Sequence, residues 1–258
     1  MGGRSEYKPG TFSWTDLTAS DQAGAKSFYG SLFGWQAEDM PMGDGAFYSI
    51  MRQAGKDVAA IAPQQAEQRE LGVPPTWNSY VTVESADAAA ARAAELGATV
   101  ILPPSDAMQA GRMAGIQDPQ GAVFLVWEPR ESIGAQLVNA HGALAWNELA
   151  SADPEASREF YEQLFGWQTE QFAGSPQPYL TIKNEGSGNG GIRQVEAGVP
   201  PSWLVYFAID DLDAGLALVT ELGGQVHGEP IDIGIARIGI AADQQGAMFA
   251  LYCGELEP

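Results

Sequence analysis

Residues 12–18, FSWTDLT, alternate apolar and polar positions as a half-buried strand does, and the pattern then changes period. From Asp21 onward, Ala25, Phe28, Tyr29, Leu32 and Phe33 recur at helical spacing; Asp21 supplies the N-cap and Gly34 the C-terminal stop. Aromatic and branched residues at 46–51 and 57–62 predict a hairpin across Gly55. A polar loop, QQAEQRELG, leads to a strand at 77–83. A second helix over 86–96 ends at Gly97, and strands near 98–102, 111–117 and 122–128 follow. The order reads βαβββ, or two βαβ-like halves in tandem.

The same pattern is then written a second time. WTDLTASDQAGAKSFYGSLFGWQ at 14–36 is matched by WNELASADPEASREFYEQLFGWQ at 146–168, a shift of 132. VPPTWNSYVTV at 73–83 is matched by VPPSWLVYFAI at 199–209, a shift of 126. Arg112 and Asp118-Pro119-Gln120-Gly121 are matched by Arg237 and Asp243-Gln244-Gln245-Gly246, a shift of 125. The chain thus divides into a first module at 10–130, a linker at 131–141 and a second module at 142–254. Each module is too short to bury much alone, so an α+β fold is expected: two tandem βαβββ modules packed as one pseudo-twofold unit around concave mixed-sheet clefts.

Charge narrows the functional classes. Thirteen Lys+Arg against 33 Asp+Glu give a net charge of −20, which repels phosphate backbones and anionic headgroups, so neither nucleic acid nor membrane is an expected partner. The longest apolar runs fall well short of the roughly 20 residues a bilayer span requires, and residues 1–10 hold no apolar stretch to act as a signal peptide; a cytoplasmic protein is the expectation. The single cysteine, Cys253, excludes an internal disulfide or a cysteine-rich metal site. The histidines, His141 in the linker and His227 on an edge strand, read as ordinary imidazoles rather than ligands. The glycine-rich stretch Gly186–Gly191 lacks the strand–loop–helix setting of a phosphate cradle and reads as a flexible turn matching Gly55.

The strand leading to Asp21, the Phe28-Tyr29 and Leu32-Phe33-Gly34-Trp35 helix end, and Asp118-Pro119-Gln120-Gly121, all repeated in the second half, resemble the vicinal oxygen chelate superfamily of glyoxalase I, extradiol dioxygenases and bleomycin-resistance proteins. Trp14-Thr15-Asp16-Leu17, the PPxW loops and Trp146-Asn147-Glu148-Leu149 are similar to the actinobacterial tandem glyoxalase-like proteins, among them a mycobacterial secreted antigen. The resemblance implies a divalent metal held at fixed strand positions, which fall here on Trp14, Asn78 and Leu125 and on Trp146, Leu204 and Ala250. Of these only Asn78 offers even a weak oxygen ligand, so no metal and no other cofactor is expected.

If the metal face of the fold is the cleft face, strand alternation lines the clefts with Trp14, Asp16, Asn78, Tyr80 and Trp127 in the first module, and Trp146, Glu148, Tyr206 and Tyr252 in the second. Such a surface suits a planar, partly apolar small molecule. The tryptophans either stack a ligand or fill the volume a metal would occupy. Asp16 and Glu148 act either as general acids or bases, or as acceptors that only orient the wall. Arg112 and Arg237 either bind a ligand anion or tie strand to loop through Asp118 and Asp243. The leading expectation is a metal-independent binding or sequestering protein for a hydrophobic or aromatic compound, acting as a monomer or weak homodimer. The alternative is a lyase, isomerase or dioxygenase-like enzyme of the same superfamily.

Overall fold

The computed structural model describes residues 2–43, 45–173 and 178–256. The first module runs β1 (Phe12–Ala19), α1 (Gln22–Phe33), β2 (Gln36–Gly43), β3 (Ala46–Gln53), β4 (Lys56–Pro63), α2 (Ala66–Glu70), β5 (Thr76–Thr82), α3 (Ala86–Glu95), β6 (Thr99–Ala107), β7 (Gly111–Gln117) and β8 (Val123–Pro129). The second runs β9 (Leu144–Ser151), α4 (Pro154–Phe165), β10 (Gln168–Gln171), β11 (Tyr179–Asn184), β12 (Ser187–Gln194), β13 (Ser202–Ala208), α5 (Leu212–Glu221), β14 (Gln225–Asp232), β15 (Ala236–Ala242) and β16 (Met248–Gly254). The βαβββ unit therefore occurs twice in each module.

Each module folds into one eight-stranded sheet, ordered β2-β3-β4-β1-β5-β8-β7-β6 in the first and β10-β11-β12-β9-β13-β16-β15-β14 in the second. Antiparallel β1–β5 and β9–β13 pairs join the two units at the centre of each sheet. The parallel pairs β1–β4, β5–β8, β12–β9 and β13–β16 close each unit on itself.

Two elements of the first module had no sequence counterpart for a common reason. The edge strand β2 is exposed along its whole length and contains Pro41, so neither face carries the alternation that marks a half-buried strand. The five-residue α2 inside QQAEQRELG buries nothing, so no apolar stripe announces it. The glycine-rich stretch is also resolved differently from the expectation of a turn. Only Glu185-Gly186 turns, while Ser187–Gln194 is strand β12. Gly191 is required there because a Cβ would overlap the phenol of Tyr179 lying across the strand.

Helices α1 and α4 lie between the modules, which is where the motif residues find their purpose. The rings of Tyr29 and Phe33 pack on Phe249 and Phe207 of the other module at centroid separations of 5.6 and 5.2 Å. Tyr161 packs on Phe124 at 5.4 Å in the mirror arrangement. At each contact a buried hydroxyl links the modules. Trp77 Nε1 donates to Tyr29 Oη at 2.8 Å, and that hydroxyl donates to Asp243 Oδ2 at 3.2 Å. Trp203 Nε1 donates to Tyr161 Oη at 3.0 Å, and that hydroxyl donates to Asp118 Oδ2 at 2.9 Å.

The remaining oxygen of each aspartate gathers its own loop. Asp118 Oδ1 accepts from the backbone N–H groups of Gln120, Gly121 and Ala122, and Asp243 Oδ1 from those of Gln245 and Ala247. Burial lifts both carboxyls above their ordinary range despite these hydrogen bonds. The loop glutamines complete the join. Gln245 spans the backbone N–H and C=O of Asp21, the α1 cap, and Gln120 Nε2 donates to the carbonyl of Asp153, the α4 cap, at 2.9 Å.

Asp118 and Asp243 are thus engaged across the module boundary and are not the partners of the repeated arginines. Arg112 pairs with Asp87 and Asp106, and Arg237 with Asp213, tying β7 and β15 to the first turns of α3 and α5. Removing the shared hydroxyl in Tyr29→Phe or Tyr161→Phe leaves an indole N–H and a carboxyl oxygen without that partner. Each substitution is expected to cost about 1–3 kcal/mol, and the double variant close to the sum, in urea unfolding followed by fluorescence. Losses below about 0.5 kcal/mol would show that the hydroxyls do not hold the modules.

Candidate functional site

The nine cleft residues separate into two groups with different fates. In the first module they collapse onto one another. Trp14 Nε1 donates to Tyr48 Oη at 2.9 Å, and the hydroxyls of Tyr48 and Tyr80 donate to Asp16 Oδ2 at 3.0 and 2.7 Å. Asn78 Nδ2 donates to Asp16 Oδ1 at 2.8 Å and to Thr18. Trp127 Nε1 donates to the Ser132 carbonyl at 3.0 Å. Trp14, Asp16, Tyr80 and Trp127 are all buried, so this network floors a cleft that its own side chains fill. Burial raises the Asp16 carboxyl above its ordinary range, more than the three hydrogen bonds lower it, and pushes the Tyr48 and Tyr80 hydroxyls well upward.

The second module keeps the plan and opens it. Trp146 Nε1 donates to Tyr179 Oη at 2.9 Å, and the Tyr206 hydroxyl donates to Glu148 Oε2 at 2.8 Å. Arg193 Nε donates to Glu148 Oε1 at 2.8 Å. The partner of the acid has changed sides. Asn78 of the first module is replaced by Leu204, while Ala62 of the first is replaced by Arg193, as the strand registers against Asp16, Thr18, Glu148 and Ala150 show. A buried acid is kept in each case, and each has acquired a donor from a different strand.

Above this floor lies a cavity of about 710 Å³. Trp146, Tyr179 and Tyr252 line it half-exposed, with Glu148 and Tyr206 buried beneath. The opposite wall is an isoleucine-rich hairpin, β14–β15, contributing Ile231, Ile233, Ile235, Ile238 and Ile240. Ile231 and Ile235 remain 42% and 56% exposed. Smaller side chains account for part of the opening: Ala250 stands where the first module has Leu125, and Tyr252 where it has Trp127. In the first module Ala107, Ala110 and Met113 also pack down on the network.

The N-terminal segment contributes to this second cleft although it precedes the first module. Asn189 accepts from the Phe12 N–H and donates to the Gly10 carbonyl, and Trp167 Nε1 donates to the same carbonyl at 2.7 Å. This brings Arg4, Tyr7 and Thr11 to the cavity wall. Trp146, Glu148, Tyr206 and Tyr252 are therefore brought together at an open cavity, whereas Trp14, Asp16, Asn78, Tyr80 and Trp127 meet in a filled one. Sequence reasoning missed Tyr179, Arg193, Lys183 and the isoleucine hairpin. Tyr179 was detectable only by aligning it with Tyr48 across the insertion between the repeats.

The positions to which the resemblance assigns a metal carry Trp14, Asn78 and Leu125, and Trp146, Leu204 and Ala250. Five of these six side chains have no lone pair suited to a divalent cation, and Asn78, whose Nδ2 donates to Asp16 and Thr18, has one neutral amide oxygen to offer, too little to chelate a metal alone. Among the described residues, no three His, Cys, Asp or Glu side chains converge. His141 lies 3.2 Å from Asp210, and His227 is exposed on β14. The donor set does not fit a chelated divalent metal.

Two eight-stranded sheets with α1 and α4 between them, each concave on its outer side, define a glyoxalase-type protein. Residues 11–126 and 143–251 match the Glyoxalase/Bleomycin resistance protein/Dioxygenase superfamily, and the chain belongs to it. A Mycobacterium tuberculosis (strain CDC 1551 / Oshkosh) protein provisionally named glyoxylase CFP32 is 42% identical over 252 residues, 96% of each chain. The anthracycline biosynthesis protein DnrV of Streptomyces peucetius is 32% identical, over 95% of this chain and 94% of that one. Among solved structures, the Mn(II)-bound glyoxalase of Novosphingobium aromaticivorans superposes with a TM-score of 0.67 at 14% identity, covering 97% of this chain and 83% of that one. The 2,3-dioxygenase LapB of Pseudomonas sp. KL28 does so with a TM-score of 0.66 at 11% identity, covering 98% and 95%. At those identities the likeness is one of fold. Among the described residues no helix is long and apolar enough to cross a membrane.

After dialysis against Mn, Fe, Co, Ni and Zn followed by desalting, mass spectrometry is expected to find well under one metal per chain. About one tightly held equivalent would contradict the assignment of these positions.

Proposed function

We propose that this protein binds or sequesters a planar, largely apolar small molecule in the second-module cleft, without a metal. The observation that carries the reading is the cavity of about 710 Å³ itself: half-exposed aromatic rings on one side, isoleucines on the other, and a paired acid and arginine at the floor. That volume falls within the roughly 300–1,000 Å³ range of ligand pockets, and its few polar groups suit orientation more than bulk affinity. The name of the Streptomyces relative, a protein of anthracycline biosynthesis, supports a fused-ring ligand. A small molecule is the partner in this reading, bound by a monomer or weak homodimer in the cytoplasm. The charge of −20 argues against nucleic acid and membrane surfaces.

A second reading, a lyase, isomerase or oxygenase-like enzyme, is favoured by one observation: Glu148 and Arg193 both reach the cavity. Glu148→Gln separates the two, since turnover would be lost with binding retained in an enzyme.

Titration with the neutral probe anthracene-9-methanol, followed by tryptophan fluorescence, is expected to show one site per chain. Trp146→Ala should weaken it by about tenfold or more, because it removes both stacking area and the Tyr179 anchor. Trp14→Phe should leave affinity within about twofold. Two equal sites, or a loss on Trp14→Phe rather than Trp146→Ala, would overturn the assignment to the second cleft.

A further inference from the structure

The first module serves as an internal control for the charges of the second. On β3, Arg52 stands four residues beyond Tyr48, and on β11 Lys183 stands four residues beyond Tyr179. Tyr48 and Tyr179 are equivalent, since each accepts the indole N–H of its module's cleft tryptophan. Arg52 and Lys183 are therefore the same position in two copies.

Arg52 is fully paired. Its Nε donates to Asp57 Oδ1 at 2.7 Å, and its Nη1 pairs with Glu38. In the β3–β4 register Asp57 lies directly across from Arg52, whereas in the β11–β12 register Gly188 lies directly across from Lys183. The acid that neutralises the first cation has become a glycine beside the second. The equivalent of Glu38, Glu170, is 3.9 Å from Lys183 Nζ and 71% exposed, which is too long for a hydrogen bond and too wet for a strong pair. Lys183 itself is only 26% exposed and lines the cavity. Arg193, the other cation of this sheet that lines the cavity, already gives its Nε to Glu148.

We infer that Lys183 is the receptor for an anionic group on the ligand, so that the cleft takes a flat apolar acid: a polycyclic carboxylate with its rings against Trp146 and Tyr179. Tyr179, Thr181 and Lys183 share one face of β11, and four residues at about 3.4 Å each set the lysine about 14 Å beyond the tyrosine along the strand. A fused-ring body with the acid at its end matches that separation. The replacement of Asp57 by Gly188 frees the ammonium and also leaves room beside it for the incoming oxygen atoms. In a chain of net charge −20, attraction for an anion must be supplied locally, and a weakly partnered lysine on an apolar wall supplies it.

This inference rests on the cleft reading above, and one pair of probes tests them separately. Anthracene-2-carboxylate and anthracene-2-carboxamide are titrated into the wild type, Lys183→Gln and Lys183→Arg. The wild type is expected to prefer the carboxylate by at least about tenfold. Lys183→Gln should bring the two within about twofold, chiefly by weakening the carboxylate, with an unchanged far-UV circular dichroism spectrum, and Lys183→Arg should keep the preference. Equal affinities in the wild type, or a preference that survives Lys183→Gln, would overturn the inference and leave the cleft reading standing. Failure of both probes to bind would overturn the two together.

Discussion

Two tyrosine hydroxyls, on Tyr29 and Tyr161, each sit between an indole of their own module and a carboxyl of the other. These bridges set how the two modules meet. A phenol locked at both ends fixes the depth at which its helix lies between the sheets, and the rings around it, Phe249 on one side and Phe124 on the other, then have a single way to pack. With α1 and α4 held inside, the convex sheet faces are consumed by the join and the concave faces are left looking outward. The clefts are a consequence of how the modules are clasped. The tight aspartate loops that resemble a family motif are part of the same device, since each aspartate spends one oxygen on its own backbone and the other on the partner helix.

Duplication gives each cleft the same starting plan, and the differences between copies show what each has become. A tryptophan, a tyrosine acceptor, a buried acid and a second tyrosine recur in both. In the first, Asn78 satisfies the acid and bulky Leu125 and Trp127 complete a buried floor. In the second, Arg193 satisfies it from another strand and smaller residues leave a cavity. Because an unpaired buried carboxyl is costly, the loss of Asn78's counterpart and the gain of Arg193 belong together. The exchange leaves the floor satisfied and adds an arginine to the lining of the cavity. Lys183 is the converse case, a cation whose partner was removed and not replaced.

Much of this was readable in the chain because duplication doubles weak signals. The capped helices, the Gly55 hairpin and the central strands come from local periodicity, while the set of Trp14, Asp16, Tyr80, Trp146, Glu148 and Tyr206 needed, besides strand alternation, the family resemblance to say which face is the cleft. What escaped is of another kind. Strand β2 buries no face, so it has no period to detect. Asp118 and Asp243 looked like partners for the neighbouring arginines because the hydroxyls they bind are distant in sequence, on helices of the other module. Nor does the alternation of side chains distinguish a filled cleft from an open one. That depends on the summed volumes of residues such as Leu125 against Ala250, and on an N-terminal segment that crosses to the other module's cleft.

The most direct measurement is a crystal structure of the protein soaked with a brominated anthracene, located by anomalous scattering. The account predicts one bromine peak per chain, between Trp146 and the β14–β15 hairpin, with the Trp14–Asp16–Tyr80 network undisturbed. A peak over Trp14, or equal occupancy in both modules, would contradict the claim that one cleft of the pair has been kept open for a ligand and the other closed for stability.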